Sequence, residues 1–358
     1  MKKSEIINNL LEAISNINKS LQIRNVLVKT MEHLEDALGV EASSIWEFDD
    51  GKKELFFRLV RGDKSNIIKE KRLKVGEGIA GKTVMTKKFR IINEPLNVLE
   101  WKPEFDKISG FKTKNMIVGP LTIENKIIGV IQLVNKKKGI FTEKDIDYMK
   151  IVSSPISIAL ENAKLYEKQK DMMFNVSLAL SLAIEKRDIY TGGHTKRVVE
   201  YSMMIAEKLG YTVEKKDKLK MSAILHDVGK IAVPDSILNK QGKLTKKEFD
   251  IMKTHPIVGA NIISSMKDKL LEDVTEGVLH HHEHYDGSGY PYGIKEKNIP
   301  EFARIIAIVD SYDAMTTDRP YRKALSKKEA HNELIINRGK QFDPTFVDIF
   351  LNFINKQQ

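Results

Sequence analysis

Histidine is distributed unevenly along this chain, and that distribution constrains the fold more than any other feature. Eight of the nine histidines lie between residues 194 and 331, and four of the five residues at 280–284 are histidine. Upstream, His226 and Asp227 stand side by side at the end of an apolar stretch, and Lys230 follows. Clustered imidazole and carboxylate groups are typical of a metal site. The C-terminal half is therefore predicted to fold around a metal centre.

The chain contains no cysteine. This absence excludes disulfides, thiolate metal ligands, iron–sulfur clusters and a cysteine nucleophile. Any metal must therefore be held by nitrogen and oxygen.

Length and charge set further bounds. A chain of 358 residues predicts two domains. No apolar run approaches a membrane span, and the N-terminus lacks the apolar core of a signal peptide, so a cytoplasmic protein is expected. The net charge of +10, from 59 basic and 49 acidic residues, fits either a solvated surface or a preference for an anionic small molecule. Nucleic acid is not favoured as a partner, because no basic stripe alternates with aromatic residues.

The N-terminal half predicts a mixed α/β domain. Helical spacing of apolar residues runs to about residue 38, with residues 1–19 as a separate N-terminal helix. A short helix is expected to open at 76–81, and turn sequences occur at 49–51 and 124–125. The predicted strands, which would form an antiparallel sheet, are 43–48, 55–60, 90–92, 116–121 and 126–134.

This order of elements resembles a GAF domain, here assigned to residues 20–155. The resemblance rests on the strand pair, the segment 76–81 and the closing stretch 126–136, followed by 141–145. It implies either a dimerisation and transmission module or a sensor for a small molecule, and the sequence leaves both open. Without cysteine, and with His33 alone in this half, neither a covalent bilin nor a haem is expected.

A long helix is predicted to begin after Thr142, where Asp145 lies near the capping-box position, with a break or kink at Pro155. Residues 156–187 are interpreted as a connecting coiled coil that forms a homodimer, the alternative being a helix packed only on its own domain. The seven-residue repeat consists of Ile158, Leu165, Met172 and Ala179, with Asn162, Gln169, Val176 and Ala183 four residues after each.

Residues 188–358 are predicted to be all-helical and resemble an HD-GYP domain, the cyclic di-GMP phosphodiesterase branch of the HD superfamily. The fold class is thus α+β: a GAF domain with an antiparallel sheet and flanking helices, a long connecting helix, and an all-α domain. The resemblance rests on five ordered motifs at 190–194, 226–230, 254–259, 281–291 and 310–322.

The resemblance implies two divalent ions, Fe or Mn, that share a bridging hydroxide and hydrolyse cyclic di-GMP to pGpG and on to GMP. Tyr190 stands where some relatives carry a glutamate ligand of a third ion, so two ions are expected, although Asp188 and Glu185 are nearby acids. One ion would be held by His194, His226, Asp227 and Asp310, and the other by Asp227, His255, His281 and His282.

Further residues are predicted to serve the substrate or the ligands. Lys230, one turn after His226 on a helix, is expected to contact the phosphate as a catalytic group alongside Asp227; the alternative is a surface lysine. Arg319 and Arg322 suit the second phosphate, unless they pair with Asp313 or Asp318. Gly289, Tyr290 and Asp313 are also predicted to contact substrate, with Tyr290 stacking on guanine or shaping a rigid turn, while Asp188 and Glu283 would orient ligands from behind.

Two other functions remain open at this point. One is an HD phosphohydrolase that acts on a different nucleotide. The other is a catalytically weak receptor or signalling module for cyclic di-GMP. The N-terminal domain and the coiled coil are expected to regulate the phosphodiesterase. His280 and His331 are assigned to structure or surface.

Overall fold

A computed structural model describes residues 20–62, 68–187, 193–318 and 323–354. The chain divides into two compact units, residues 1–170 and 171–358. The helix predicted for residues 1–19 lies outside the described residues. Among the described residues, no helix combines the length and apolar character needed to cross a membrane.

The N-terminal unit is built on one antiparallel sheet, in the strand order β3-β2-β1-β6-β5-β4. Its helices are α1 (Ser20–Leu38), α2 (Gly78–Thr86), α3 (Glu104–Ser109) and the first part of α4 (Glu143–Glu185). The strands are β1 (Val40–Asp49), β2 (Glu54–Arg61), β3 (Arg72–Lys74), β4 (Arg90–Ile92), β5 (Met116–Ile123) and β6 (Lys126–Lys136).

Neighbouring residues of the central strands point to opposite faces of the sheet, and both faces are covered. Ile45 and Ile131 face a core formed with α1 and α4. Trp46 and Val130 face a second core, which contains α2. The sheet is therefore buried on both sides, and this accounts for its near-continuous apolar strands.

The five predicted strands all occur, with ends that differ by a few residues. The three-residue strand β3 and the helix α3 were not predicted, because both are too short to show a clear period. Thr142 and Asp145 pair at the start of α4, where the backbone N–H of Thr142 donates to Asp145 Oδ2 at 2.7 Å. The break predicted at Pro155 is wrong: α4 continues through it, because Ile156 and Leu160 just beyond it pack into the core.

The connecting helix α4 leaves its heptad positions uncovered. Ile158 is 45% exposed, Leu165 54% and Met172 58%. Ala179 and the four residues predicted to flank this stripe are exposed as well. Within the described chain, then, the stripe is not packed against its own domain.

The C-terminal unit is helical throughout its described residues. Its largest core lies among α5, α6, α11, α12 and α13, and a second packs the end of α4 against α6, α9 and α10. The predicted α+β class, with an all-helical C-terminal unit, is confirmed. The helices are α5 (His194–Lys208), α6 (Val213–Leu225), α7 (Asp235–Leu238), α8 (Lys246–Met252), α9 (His255–Ser264), α10 (Glu272–Leu279), α11 (Glu301–Thr316), α12 (Lys327–Ile336) and α13 (Pro344–Ile354).

Candidate metal centre

Two groups of imidazole and carboxylate side chains converge in the C-terminal unit. Within each group, every residue offers one nitrogen or oxygen, and these atoms lie within 4.8 Å of one another. All seven residues predicted as metal ligands fall into these two groups. The first group is His194, His226 and Asp310, and the second is Asp227, His255, His281 and His282.

The adjacent pairs His226–Asp227 and His281–His282 lie just past helix ends, whereas the predicted spacing of Lys230 from His226 required a helix. Helix α6 ends at Leu225, and a 3₁₀ segment, Val228–Ala232, follows the pair His226–Asp227. Helix α10 likewise ends at Leu279, before His281 and His282. A turn frees side chains to point inward on either side of the chain, which a helical face does not allow.

Gly229 is required by a close backbone approach. A Cβ atom at this position would lie 1.9 Å from the carbonyl oxygen of His255. The 3₁₀ segment thus packs directly on the start of α9. This contact brings His255 beside Asp227.

Three of the imidazoles are oriented by the main chain. In each, Nδ1 lies 2.7–2.8 Å from the carbonyl oxygen of the residue three positions earlier. Because a carbonyl only accepts, Nδ1 carries the proton, and in the neutral ring the lone pair lies on Nε2. The pairs are His226 with Ala223, His255 with Met252, and His281 with Val278.

His194 is oriented by a side chain instead. Its Nδ1 lies 2.6 Å from Asp313 Oδ2, and Arg197 donates to both oxygens of the same carboxylate. Asp313 is buried, and these partners outweigh the cost of burial, so the pKa of Asp313 is lowered. Asp313 therefore lies behind His194, and its predicted contact with substrate stays a prediction.

Glu185, the last residue of α4, holds the start of helix α5. The helix begins after Gly193, which offers no capping side chain. Glu185 accepts hydrogen bonds from the backbone N–H groups of His194 and Thr195, at 3.1 and 3.2 Å. A carboxylate at this position satisfies amides that a helix start leaves without partners.

The facing nitrogen atoms fit a cation between them. His194 Nε2 lies 3.4 Å from His226 Nε2, and His255 Nε2 lies 3.4 Å from His281 Nε2. When both facing Nε2 atoms are unprotonated, they present lone pairs to each other and cannot hydrogen bond. A divalent ion that prefers imidazole and carboxylate resolves both contacts.

Asp227 lies between the two groups. Its Oδ2 is 3.4 Å from His226 Nε2, and its Oδ1 is 3.3 Å from His255 Nε2. Each oxygen therefore faces a different group, which is the arrangement that a bridging carboxylate requires.

The electrostatics of the cluster also favour a cation. Burial opposes charge on Asp227, but Lys230 and His226 outweigh it and hold the pKa of Asp227 well below its usual range. Burial likewise opposes charge on His226, yet the adjacent carboxylate raises its pKa to about 9. Burial and neighbouring imidazoles lower the pKa of His281 and of His282 well below the usual value. Neutral His281 and His282 beside the anionic Asp227 have the protonation states that a metal site needs, whereas a bound ion would have to displace the proton that the raised pKa keeps on His226.

Lys230 reaches the cluster along the 3₁₀ segment. Its Nζ lies 2.6 Å from Asp227 Oδ2, three residues back. A helix from His226 to Lys230 was predicted, and the backbone here is a 3₁₀ segment instead. The side chain of Lys230 nevertheless faces the metal-donor groups.

The loop after the second group packs closely on it. Tyr290 stacks on His282, with ring centroids 4.8 Å apart and an angle of 29° between the planes. A Cβ on Gly289 would lie 2.5 Å from the carbonyl oxygen of His282, so this glycine allows the loop to approach the turn that carries His282. Its predicted contact with substrate stays a prediction. Glu283 Oε1 accepts hydrogen bonds from the backbone N–H groups of Tyr292 and Gly293 and so fixes the loop.

Some predicted residues lie outside the described residues. These are Asp188, Tyr190, Arg319 and Arg322. Arg197 was missed at the level of sequence, because it stands in no distinctive motif. The contacts of three histidines with main-chain carbonyls could have been predicted, because a histidine just past a helix end can reach the carbonyl three residues back.

A separate cavity lies in the N-terminal unit. It encloses about 900 Å³ of empty space, including its open mouth, and its wall is mainly apolar and aromatic. Trp46 stacks on Phe57, and Phe105 meets both rings edge-on. Trp46 Nε1 donates to Gln132 Oε1 at 2.6 Å, which turns the amide nitrogen of Gln132 away, and no described residue accepts from that nitrogen.

The two units match different protein families. Residues 20–161 match the model of the GAF domain, and residues 179–346 match that of the HD domain. The chain is 39% identical over 205 residues to a cyclic di-GMP phosphodiesterase of Thermotoga maritima, which covers 57% of this chain and 56% of that protein.

Two further relatives are similar to this chain over smaller shares of their own length. A cyclic di-GMP phosphodiesterase response regulator of Xanthomonas campestris is 42% identical over 172 residues, covering 48% of this chain and 46% of that protein. A 3'3'-cGAMP-specific phosphodiesterase of Vibrio cholerae is 36% identical over 214 residues, covering 59% and 40%. The chain thus spans about half the length of the curated relatives it matches.

Proposed function

Because the chain is a GAF domain followed by an HD domain, we propose that it is a metal-dependent phosphodiesterase that hydrolyses cyclic di-GMP. Hydrolysis of one phosphodiester gives the linear dinucleotide pGpG, and a second hydrolysis gives GMP. The observation that carries this proposal is the carboxylate of Asp227 between two groups of converging imidazoles. The printed activities of the relatives supply the substrate class.

Two divalent ions, Fe or Mn, fit the donors of this site. His194, His226 and Asp310 would hold one ion and His255, His281 and His282 the other, with Asp227 shared. When bound, such ions neutralise the phosphate oxygens and activate water as the nucleophile.

Lys230 is the chain's own cation at the site. Its ammonium lies beside Asp227 and has three donors, so it can bind a non-bridging phosphate oxygen or stabilise the leaving 3′-oxygen. Asp313 and Arg197 hold His194 in position, and the main-chain carbonyls hold three other imidazoles. The residues of the chain thus supply orientation and positive charge before a substrate arrives.

Steady-state turnover by the full chain, purified anaerobically and loaded with Fe or Mn, tests the proposal. Cyclic di-GMP, 3'3'-cGAMP, cyclic GMP and ppGpp are compared at equal concentrations, and the products pGpG and GMP are resolved by chromatography. Faster turnover of a cyclic dinucleotide is expected. Equal or faster turnover of ppGpp would replace the proposal with another nucleotide hydrolase, and tight binding of cyclic di-GMP without product would replace it with a receptor.

The GAF domain is proposed to bind a small molecule in its aromatic cavity. Concave sites with mostly apolar walls and a few polar groups are typical of ligand sites. The free amide nitrogen of Gln132 would donate to an acceptor on the ligand. Quenching of the fluorescence of Trp46 by a panel of nucleobases and indoles, compared between the wild type and Gln132→Leu, tests this step.

A homodimer through α4 is proposed as the regulatory form, with residues 156–187 as the connector between the domains. The exposed apolar stripe of this helix supports it, since a second copy would bury the same side chains. Glu185 at the end of α4 accepts a hydrogen bond from the backbone N–H of His194, the first residue of α5, and so links the two helices directly. Sedimentation should give a dimer for the wild type and a monomer for the double variant Leu165→Glu and Met172→Glu; a monomeric wild type would contradict the proposal. A cytoplasmic location stays a prediction.

A further inference from the structure

Beside the second donor group lies a patch of three side chains. Two of them, Phe249 and Lys253, have no assigned role in the proposed hydrolysis, and the third is Tyr290, for which stacking on guanine was predicted from the sequence. Phe249, on α8, is 44% exposed, and its ring meets that of Tyr290 at 6.4 Å between centroids and an angle of 76°. The ammonium of Lys253 lies 4.6 Å from the centroid of Phe249 and 5.8 Å from that of Tyr290. We call Phe249, Lys253 and Tyr290 the recognition patch.

The recognition patch is continuous with the metal centre. Tyr290 stacks on His282, a member of the second donor group, and Phe249 meets the same tyrosine ring edge-on. A phosphodiester held by the donors would therefore have this patch beside it. The nucleoside attached to that phosphate is the part of the substrate that would reach the patch.

The ammonium of Lys253 keeps its donors for another acceptor. The nearest carboxylate oxygen, Asp250 Oδ1, is 3.7 Å away, which is beyond hydrogen-bond distance, and both side chains are partly exposed. An ion pair of this kind holds a lysine weakly. No described residue accepts a hydrogen bond from Lys253 Nζ.

Two features of a purine fit these three side chains. Its face is flat and aromatic, and such faces stack on exposed tyrosine and phenylalanine rings. At its edge, guanine presents the acceptors O6 and N7, whereas adenine presents an amino donor in place of O6. An ammonium only donates, so it attracts the guanine edge and repels the amino group of adenine.

We propose that the recognition patch binds a purine of the substrate and that Lys253 selects guanine over adenine. This inference rests on the proposed hydrolysis of a cyclic dinucleotide and adds the residue that discriminates between bases. Phe249 and Tyr290 supply stacking, which is equal for both purines. Discrimination and stacking are therefore assigned to different side chains, and this division is testable.

The test measures kcat/KM of the metal-loaded full chain for cyclic di-GMP, 3'3'-cGAMP and cyclic di-AMP. Lys253→Met should lower kcat/KM for cyclic di-GMP about ten- to a hundredfold and reduce its ratio to cyclic di-AMP by a similar factor, the scale of one lost base contact. Lys253→Arg, which keeps donors, should retain most of the ratio. Lys247→Met, an exposed lysine on the same helix, should leave both values within about twofold of the wild type.

Phe249→Ala should lower kcat/KM for all three dinucleotides by about the same factor and leave the ratios unchanged, with Ile251→Ala as the control on the same helix. An unchanged ratio in Lys253→Met overturns the inference, as does a shifted ratio in Phe249→Ala alone.

Bis(p-nitrophenyl) phosphate, a diester without nucleobases, distinguishes a failure of the proposed hydrolysis from a failure of the proposed base recognition. Every variant of the patch should keep the metal content of the wild type and should lose less turnover on this diester than on cyclic di-GMP. If the wild type hydrolyses this diester but no cyclic dinucleotide, the proposed function fails and the inference with it. If the wild type hydrolyses cyclic di-GMP, but Lys253→Met leaves the ratio of kcat/KM for cyclic di-GMP to that for cyclic di-AMP unchanged, only the inference fails.

Discussion

The two donor groups of the HD domain are held in different ways. In the first group, His194 depends on a chain of side chains, in which Asp313 orients the ring, Arg197 holds Asp313, and Glu185 caps the helix. In the second group, His255 and His281 are oriented by main-chain carbonyls, which no substitution removes. Asp227 belongs geometrically to both.

This difference predicts unequal robustness. A single substitution can remove a hydrogen bond between side chains. A hydrogen bond to a main-chain carbonyl persists as long as the backbone conformation is unchanged. Partners that orient ligands typically contribute 10–100-fold to metal affinity or activity. The first ion is therefore expected to be the more easily lost, and the two groups can be separated experimentally.

The largest effect is expected for Asp227→Ala, which removes the shared carboxylate. Both ions should be lost or strongly weakened, and turnover should fall about 10³-fold or more, the scale of losing a principal catalytic group. Metal analysis per chain and steady-state turnover check this. Asp147→Ala, at an exposed aspartate of the GAF domain, is the control. Full metal content in Asp227→Ala would contradict the bridging role.

Asp313→Asn should separate the groups. The amide cannot balance the charge of Arg197 as the carboxylate does, so His194 should lose its fixed orientation while the second group stays intact. We expect the metal content to fall from about two ions to about one, with turnover reduced about 10–100-fold.

Asp318→Asn is the matched control on the same part of the chain, since Asp318 is exposed and, among the described residues, accepts one hydrogen bond, from the backbone N–H of Ala324. Loss of both ions in Asp313→Asn, at unchanged helicity, would show that the groups are not held independently.

Glu185→Ala should have a smaller effect on the same group. Loss of the cap typically costs about 1 kcal/mol, which should lower the melting temperature by a few degrees. The start of α5 would loosen, and turnover should fall less than in Asp313→Asn. Calorimetry and turnover measure both effects, with Glu207→Ala, an exposed glutamate on the same helix, as the control. A melting temperature equal to that of the wild type would argue against the cap.

How much of this was predictable differs between the parts of the molecule. The donors could be identified because histidine and aspartate recur in ordered motifs, and the strands because their apolar runs are bounded by turns such as that at Glu124–Asn125. The backbone around His226 and His281 was not predictable, since residue identity alone does not say where α6 and α10 end. The helix also continues through Pro155, where tertiary packing overrides local preference.

The supporting residues could not be predicted, because their partners are distant in sequence. Arg197 and Asp313 are 116 positions apart, and each alone is an ordinary charged residue. The cavity around Trp46 is a matter of shape, which depends on strands and helices from the whole GAF domain. Motifs thus predict which residues act, and only the fold shows what holds them.

The smallest effect is expected at Tyr290, whose side chain contacts the second donor group, the one oriented by main-chain carbonyls. Tyr290→Phe keeps the ring on His282 and should bind two ions and hydrolyse bis(p-nitrophenyl) phosphate within about twofold of the wild type. Burial together with Asp227 and Asp310 raises the pKa of Tyr290, so its hydroxyl stays neutral and supplies no charge that phenylalanine would remove. Tyr290→Ala should keep the metal as well, because the carbonyls of Met252 and Val278 still orient His255 and His281. Loss of an ion in Tyr290→Ala but not in Tyr290→Phe would mean that stacking, and not the main chain, holds the second group, and the contrast with His194 would then disappear.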